Sequence, residues 1–241
     1  NKETLATRYT IQLLDLTSEA AQYTLEFDPT AVDLAPSAVT DLAAQSGAEG
    51  GQLLLSWTAP GEDGSTGNIL GGRVLVQASD AAEPTFAPEF SQVRFATSSA
   101  PGQRQDLAAG GFLGNTTHFV RLWTQDTGGS VSEVSNGATA YALPYPPTGF
   151  ALVDVGSATA AVTWQVGNNR SALLPIGYSV RVTTGAGVLV ASSPFQDSFN
   201  RAYTFTGLPP NTVIAFQGLA QQPEGAASPL SVLGSTVTRA D

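Results

Sequence analysis

The chain has 241 residues, long enough for two domains of about 100 residues each with a remainder. Its net charge is −10, with a single Lys (Lys2) and no basic run, which argues against nucleic acid or an anionic membrane as partner. Cys is absent and His118 is the single histidine, which leaves no disulfide or thiolate chemistry and argues against zinc and most transition-metal sites.

Charged residues make up 12% of the chain against 42% hydrophobic, so the polar surface rests on Ser, Thr, Gln and Asn, as in secreted β-proteins. No apolar run approaches the length of a membrane-spanning helix. Met is absent even at position 1, so a processed chain or a fragment is expected.

Residues 1–35 are too short for a third domain, yet they read as strands. Tyr9, Ile11 and Leu13 alternate with Thr10 and Gln12, and Tyr23, Leu25 and Phe27 alternate with Thr24 and Glu26. An isolated hairpin is marginal in water, so this apolar face needs a surface to dock on. Three readings stand: the tail of an upstream domain, packing on the first sandwich of the same chain, or strand addition to a neighbouring subunit. Those six apolar and aromatic residues are the candidate assembly contacts.

From Pro36 onward, short alternating runs are separated by Gly, Pro, Asn, Asp and Ser clusters, and no long amphipathic helix is found. Strands are expected near 38–45, 52–58, 72–78, 92–96, 104–109, 117–125 and 133–141. The run Tyr141-Ala-Leu-Pro144-Tyr-Pro146-Pro147 is a junction, where consecutive prolines disfavour helix and stiffen the link. A second set of strands is expected near 148–154, 158–166, 177–184, 187–192, 201–206, 212–220 and 231–238. Seven strands in each half predict two all-β sandwiches, 36–143 and 146–239. Few edge strands carry Lys or Pro guards, which leaves pairing with other chains open.

The two halves repeat one signature. Pro36, Leu42 and Trp57 in the first correspond to Pro146, Leu152 and Trp164 in the second, followed by Val74/Val76 and Val180/Val182. The turns Leu113-Gly-Asn-Thr-Thr117 and Leu208-Pro-Pro-Asn-Thr212 come next. The endings are Asp126…Gly129-Ser-Val-Ser132-Glu-Val-Ser135-Asn136 and Gly225-Ala-Ala-Ser228-Pro-Leu-Ser231. In this order and spacing both halves resemble fibronectin type III domains, and the Trp57–Gly64 stretch with the Ser-rich ending resembles bacterial extracellular members in particular. The resemblance implies an immunoglobulin-like tandem and an extracellular or cell-surface setting.

There are departures from the family pattern. The Tyr that the family places early on the sixth strand is replaced by His118 or Phe119 in the first half and by Ile214 in the second. Gly72 stands where the third strand usually has Tyr, while Tyr178 keeps it. Each lost Tyr removes a hydrogen bond of about 1 kcal/mol, which leaves the sandwiches to draw support from neighbours.

Few residues point to chemistry. His118 falls on a sandwich strand and reads as structural. Glu62 and Asp63, in the Gly-rich 60–67 loop, could bind Ca²⁺ but form no EF-hand and read as a solvated turn. Trp57 and Trp164 are core positions. Trp123 faces outward if His118 takes the corner position, and is then a candidate surface contact for protein or sugar. If Phe119 takes the corner position, Trp123 is core. Asn115-Thr-Thr117 and Asn169-Arg-Ser171 match the glycosylation sequon and read as chance matches. No catalytic residue, cofactor or metal site is expected.

The sequence therefore predicts a non-enzymatic extracellular structural or adhesive protein. It would be a cell-surface or filament subunit that self-associates, or binds another cell-surface protein, by strand addition and domain packing, without membrane insertion. Two alternatives stand: a spacer or accessory region of a larger secreted enzyme such as a polysaccharide hydrolase, and a carbohydrate- or protein-binding module.

Overall fold

The computed structural model describes residues 34–240 except 82, 171–175 and 223–224. The expected hairpin contacts Tyr9, Ile11, Leu13, Tyr23, Leu25 and Phe27 lie outside the described residues.

The chain folds as an all-β protein with two sandwiches, in agreement with the expected fold class. The first is built from β1 (Ala43–Ser46), β2 (Leu53–Thr58), β3 (Ile69–Ser79), β4 (Val93–Ser99), β5 (Arg104–Ala109), β6 (Thr116–Gln125) and β7 (Ala138–Ala142). A three-stranded sheet in the order β1-β2-β5 faces a four-stranded sheet in the order β4-β3-β6-β7. The second is built from β8 (Thr148–Val155), β9 (Thr159–Gln165), β10 (Gly177–Thr184), β11 (Leu189–Ser192), β12 (Ala202–Thr206), β13 (Val213–Gln221) and β14 (Ser231–Val237). It repeats the arrangement as β12-β9-β8 against β11-β10-β13-β14, and both sandwiches lie in one compact unit.

Alternation decides which side chains go inside. In β2, Leu53, Leu55 and Trp57 are buried while Leu54 and Thr58 face solvent. Each fully buried aliphatic or aromatic side chain contributes roughly 1.5–3 kcal/mol. The first core gathers these three with Val74, Val76, Val120, Leu122 and Phe112. The second gathers Val162, Trp164, Tyr178, Val180, Val182, Phe205, Ile214 and Phe216 and shares no residue with the first. Phe216 is its aromatic centre, with ring centroids 5.0 Å from Phe150 and 6.1 Å from Phe205.

Two strands begin well after their sequence pattern suggests, β7 and β1, for one physical reason: side chains replace the ladder. The expected strand 133–141 starts at Ala138. Upstream of it the Ser135 hydroxyl accepts from the Leu122 N–H and the Ser132 hydroxyl accepts from the Thr124 N–H, each at 3.0 Å. The expected strand 38–45 starts at Ala43. Before it, the Asn136 amide clamps Leu42, accepting from its N–H at 2.8 Å and donating to its carbonyl at 2.9 Å. Ser228, accepting from the Ala220 N–H of β13, and Ser193, accepting from the Val180 N–H of β10, repeat the hydroxyl device in the second sandwich.

The corner position is taken by His118, which is buried, while Phe119 is partly exposed. His118 Nε2 lies 2.8 Å from the Leu113 carbonyl, so that nitrogen is the donor and the imidazole reproduces the backward bond of a tyrosine corner. At Gly72 a Cβ would overlap the Gln125 carbonyl and Ile69, so no side chain fits at this position of the third strand.

Trp123 requires a correction. It is 4% exposed, although His118 fills the corner and Trp123 points to the outer side of its sheet. That outer face is covered. The connection between β3 and β4 folds over it, held by Gln77 through the Thr85 carbonyl at 2.8 Å and the Ala87 N–H at 2.9 Å. Arg121 lies over the Phe86 ring at 5.6 Å. The next row of the sheet is the buried pair Leu75 and Trp123. Trp123 thus offers no open aromatic surface for a sugar or a partner.

Candidate functional site: the joint between the sandwiches

A dense side-chain network between distant parts of the sequence lies where the first sandwich meets the second. Its centre is Tyr145, held between Pro144 and Pro146. Proline on both sides restricts the backbone before and after it. The Tyr145 N–H donates to Asn169 Oδ1 at 2.7 Å and its carbonyl accepts from Asn169 Nδ2 at 2.9 Å. The same Nδ2 donates to the Tyr178 hydroxyl at 3.0 Å, which ties the link to the second core. On the other side the Tyr145 hydroxyl donates to the Phe112 carbonyl at 3.1 Å, which ties it to the first.

Glycines make room for this ring. A Cβ at Gly50 would lie 2.6 Å from the Tyr145 Cα, and one at Gly114 would lie 3.0 Å from its Cδ2. A Cβ at Gly51 would overlap the hydroxyl, and the φ of +66° there is one that only glycine adopts freely. Gly167 closes the socket from the second sandwich.

Around the socket the two backbones meet directly. Gly114 N–H donates to the Asn168 carbonyl at 3.0 Å, and Arg170 N–H donates to the Gly114 carbonyl at 2.9 Å, a short parallel bridge between the sandwiches. Asn115 Nδ2 donates to the Arg170 carbonyl at 2.8 Å. Tyr141 donates to Asn115 Oδ1 at 2.8 Å and accepts from Gln222 Nε2 at 2.7 Å. Gln222 also donates to Asn115 Oδ1. Asp80, just after β3, pairs with Arg170. Burial pushes the Tyr141 and Tyr178 hydroxyls above the ordinary tyrosine pKa, with the bonds from Gln222 and Asn169 pulling part of the way back.

Both sequon asparagines are members of this joint. Asn115 is 0% exposed, and its amide is committed to the Arg170 carbonyl. Asn169 spends its amide on Tyr145 and Tyr178. Neither presents a nitrogen to a glycan, in accord with the chance-match reading. Tyr145, Asn169 and Gln222 are not marked as a joint by any pattern read from the sequence above. The available signals were a Tyr framed by prolines and the Gly50-Gly51 pair facing it.

The 61–67 loop is a closed turn. Asp63 and Thr66 exchange backbone bonds at 3.0 and 3.1 Å, Asp63 Oδ1 accepts from the Leu34 N–H at 3.1 Å, and Glu62 accepts from the Thr127 hydroxyl. Among the described residues no three His, Asp or Glu side chains gather as a metal site, and no helix is long and apolar enough to cross a membrane.

No family model and no curated protein matches the chain. Among solved structures it is similar to the FN1–FN3 domains of chicken CNTN1, at 16% identity and a TM-score of 0.34, over 86% of this chain and 68% of that one. It is also similar to a two fibronectin type III domain segment of chicken tenascin, at 14% identity and a TM-score of 0.40, over 83% of this chain and 99% of that one.

Proposed function

We propose that the protein is a non-enzymatic structural or adhesive unit of an extracellular or cell-surface assembly. In this reading it is a filament or surface subunit that self-associates by strand addition. Residues 1–35 are the donor segment, and Tyr9, Ile11, Leu13, Tyr23, Leu25 and Phe27 are its buried contacts.

The observation that carries the proposal is the Tyr145 socket. A spacer that only separates two ends works with any flexible link. Here the link residue is bonded to both sandwiches and enclosed by glycines from both, so the pair transmits a fixed orientation. Fixed orientation is what a repeating assembly needs, because small angular errors accumulate from subunit to subunit.

The test compares the full chain with a chain lacking residues 1–35 by light scattering and negative-stain imaging, with thermal melts as the control for folding. Oligomers or fibres that vanish on deletion support the reading. Two monomeric, equally stable species refute assembly by strand addition and leave the chain as a spacer within a larger secreted protein.

A further inference from the structure

Every sandwich has edges, and most edges here are guarded. Among the strands at sheet edges, β5 carries Arg104 and Asp106, and β4 carries Arg94. β8 carries Asp154 and two breaks of register, and β1, β7, β11 and β12 have only four or five residues. Charge, irregularity and shortness are the usual defences of an edge against a second strand. β14 stands apart. It has seven residues, Ser231–Val237, with no charge and no proline. Its one bulge, where the pairing with β13 shifts, leaves Gly234–Val237 in a regular ladder. Val232 is 78% exposed and Val237 is 52% exposed, and Val237 lies beside the exposed Val213 of β13.

The charge pattern says what this edge meets. The chain carries −10, so two copies repel on approach. Yet between Arg201 and Arg239 the single charged residue is Glu224. β12, β13 and β14 all fall in that stretch, the longest on the chain with so little charge. Repulsion between copies is weakest there. A strand edge is completed only by another strand, and a strand pairing antiparallel with its own copy makes a two-fold contact in which each side satisfies the other.

From these observations we infer that β14 is a self-pairing edge. Two copies join β14 to β14, antiparallel, and their four-stranded sheets fuse into one continuous sheet of eight. The exposed valines of β13 and β14 add apolar contact across the seam. This contact is separate from strand addition by residues 1–35, and an assembly holding both has two distinct ways to join subunits.

The test is sedimentation equilibrium of the full chain from micromolar to millimolar concentration. The expected result is a reversible dimer that V232K weakens about tenfold or more, because it replaces an exposed valine of the edge with a charge that the incoming strand must cover. V153K, at the 66% exposed Val153 of the β8 edge, leaves dimerisation unchanged. Because the chain has no cysteine, S235C gives a single-site probe. Mild oxidation is expected to cross-link S235C between copies, to leave V153C monomeric, and to fail in S235C/V232K. A chain that stays monomeric throughout, a V232K dimer as tight as the parent, or an S235C chain that does not cross-link overturns the inference. If removing residues 1–35 abolishes all association while V232K changes nothing, donor strands alone join the copies and β14 pairing is refuted. If V232K removes the dimer while long polymers depend on residues 1–35, β14 pairing holds and the two contacts are distinct.

Discussion

At the scale of single residues, Tyr145 and Asn169 tie the link to both sandwiches. Asn169 bonds both backbone groups of Tyr145 and the Tyr178 hydroxyl, so Asn169→Ala orphans three partners at once. Each buried polar group left without a partner costs about 1–3 kcal/mol. The cores share no residue, so the loss is expected to fall on orientation before it falls on either sandwich. Small-angle scattering of Asn169→Ala should show a broadened distribution of inter-sandwich distances, while circular dichroism still reports folded β-structure. Gly114→Val should do the same by pushing the Tyr145 ring and the Asn169 amide out of place. His118 behaves differently, because its bond to Leu113 and its ring contact with Phe112 at 5.5 Å lie within the first sandwich. His118→Ala is expected to destabilise that sandwich by about 2–4 kcal/mol and to lower its melting transition alone, as calorimetry would resolve.

At the scale of elements, the strands were legible because their physics is local. Leu53, Leu55 and Trp57 announce β2 by alternation, and Gly or Pro clusters mark most of the turns between strands. Where a strand borrows a hydroxyl or an amide in place of a ladder bond, the pattern of residues runs on but the ladder stops, and so β7 and β1 begin late. The Ser-rich ending carried this information in a form that periodicity does not read: Ser132 and Ser135 are spaced to reach the Thr124 and Leu122 N–H groups in turn. Trp123 failed for the opposite reason. Alternation assigns it correctly to the outer side of the sheet, but cannot say that a distant connection covers that side. Ser135→Ala tests the borrowed bond. The Leu122 N–H would be left buried without an acceptor, at about 1–3 kcal/mol. Denaturant midpoints should fall with an unchanged slope, and hydrogen exchange at Leu122 should accelerate; protection equal to that of the parent chain would mean the hydroxyl is dispensable.

At the scale of the whole molecule, the joint is assembled from four separated stretches, near residues 50, 114, 145 and 169, with Tyr141 and Gln222 beside them. No local pattern marks them as neighbours, and two of the asparagines even imitate a glycosylation signal. What brings them together is the repetition of the sandwich on both sides of a proline-framed link. This gives the molecule a pH dependence located at its middle. Tyr141 and Tyr178 both have folded-state pKa values raised by burial above the ordinary 10.0. A raised value means that the folded joint holds the proton more tightly than the unfolded chain does. The associated stability is fully present below pH about 10 and is lost as pH climbs through the folded values. Ionised Tyr141 can no longer donate to Asn115, and its charge sits in a buried network. Scattering followed from neutral to strongly alkaline pH should therefore report loss of the fixed inter-sandwich distance in step with tyrosinate absorbance. Tyr141→Phe forfeits the bonds to Asn115 and Gln222 at neutral pH but should remove its share of the alkaline transition. An undiminished transition in that variant would place the sensitivity on Tyr178 and the second core, and an unchanged scattering profile across the whole titration would mean that neither hydroxyl holds the sandwiches in place.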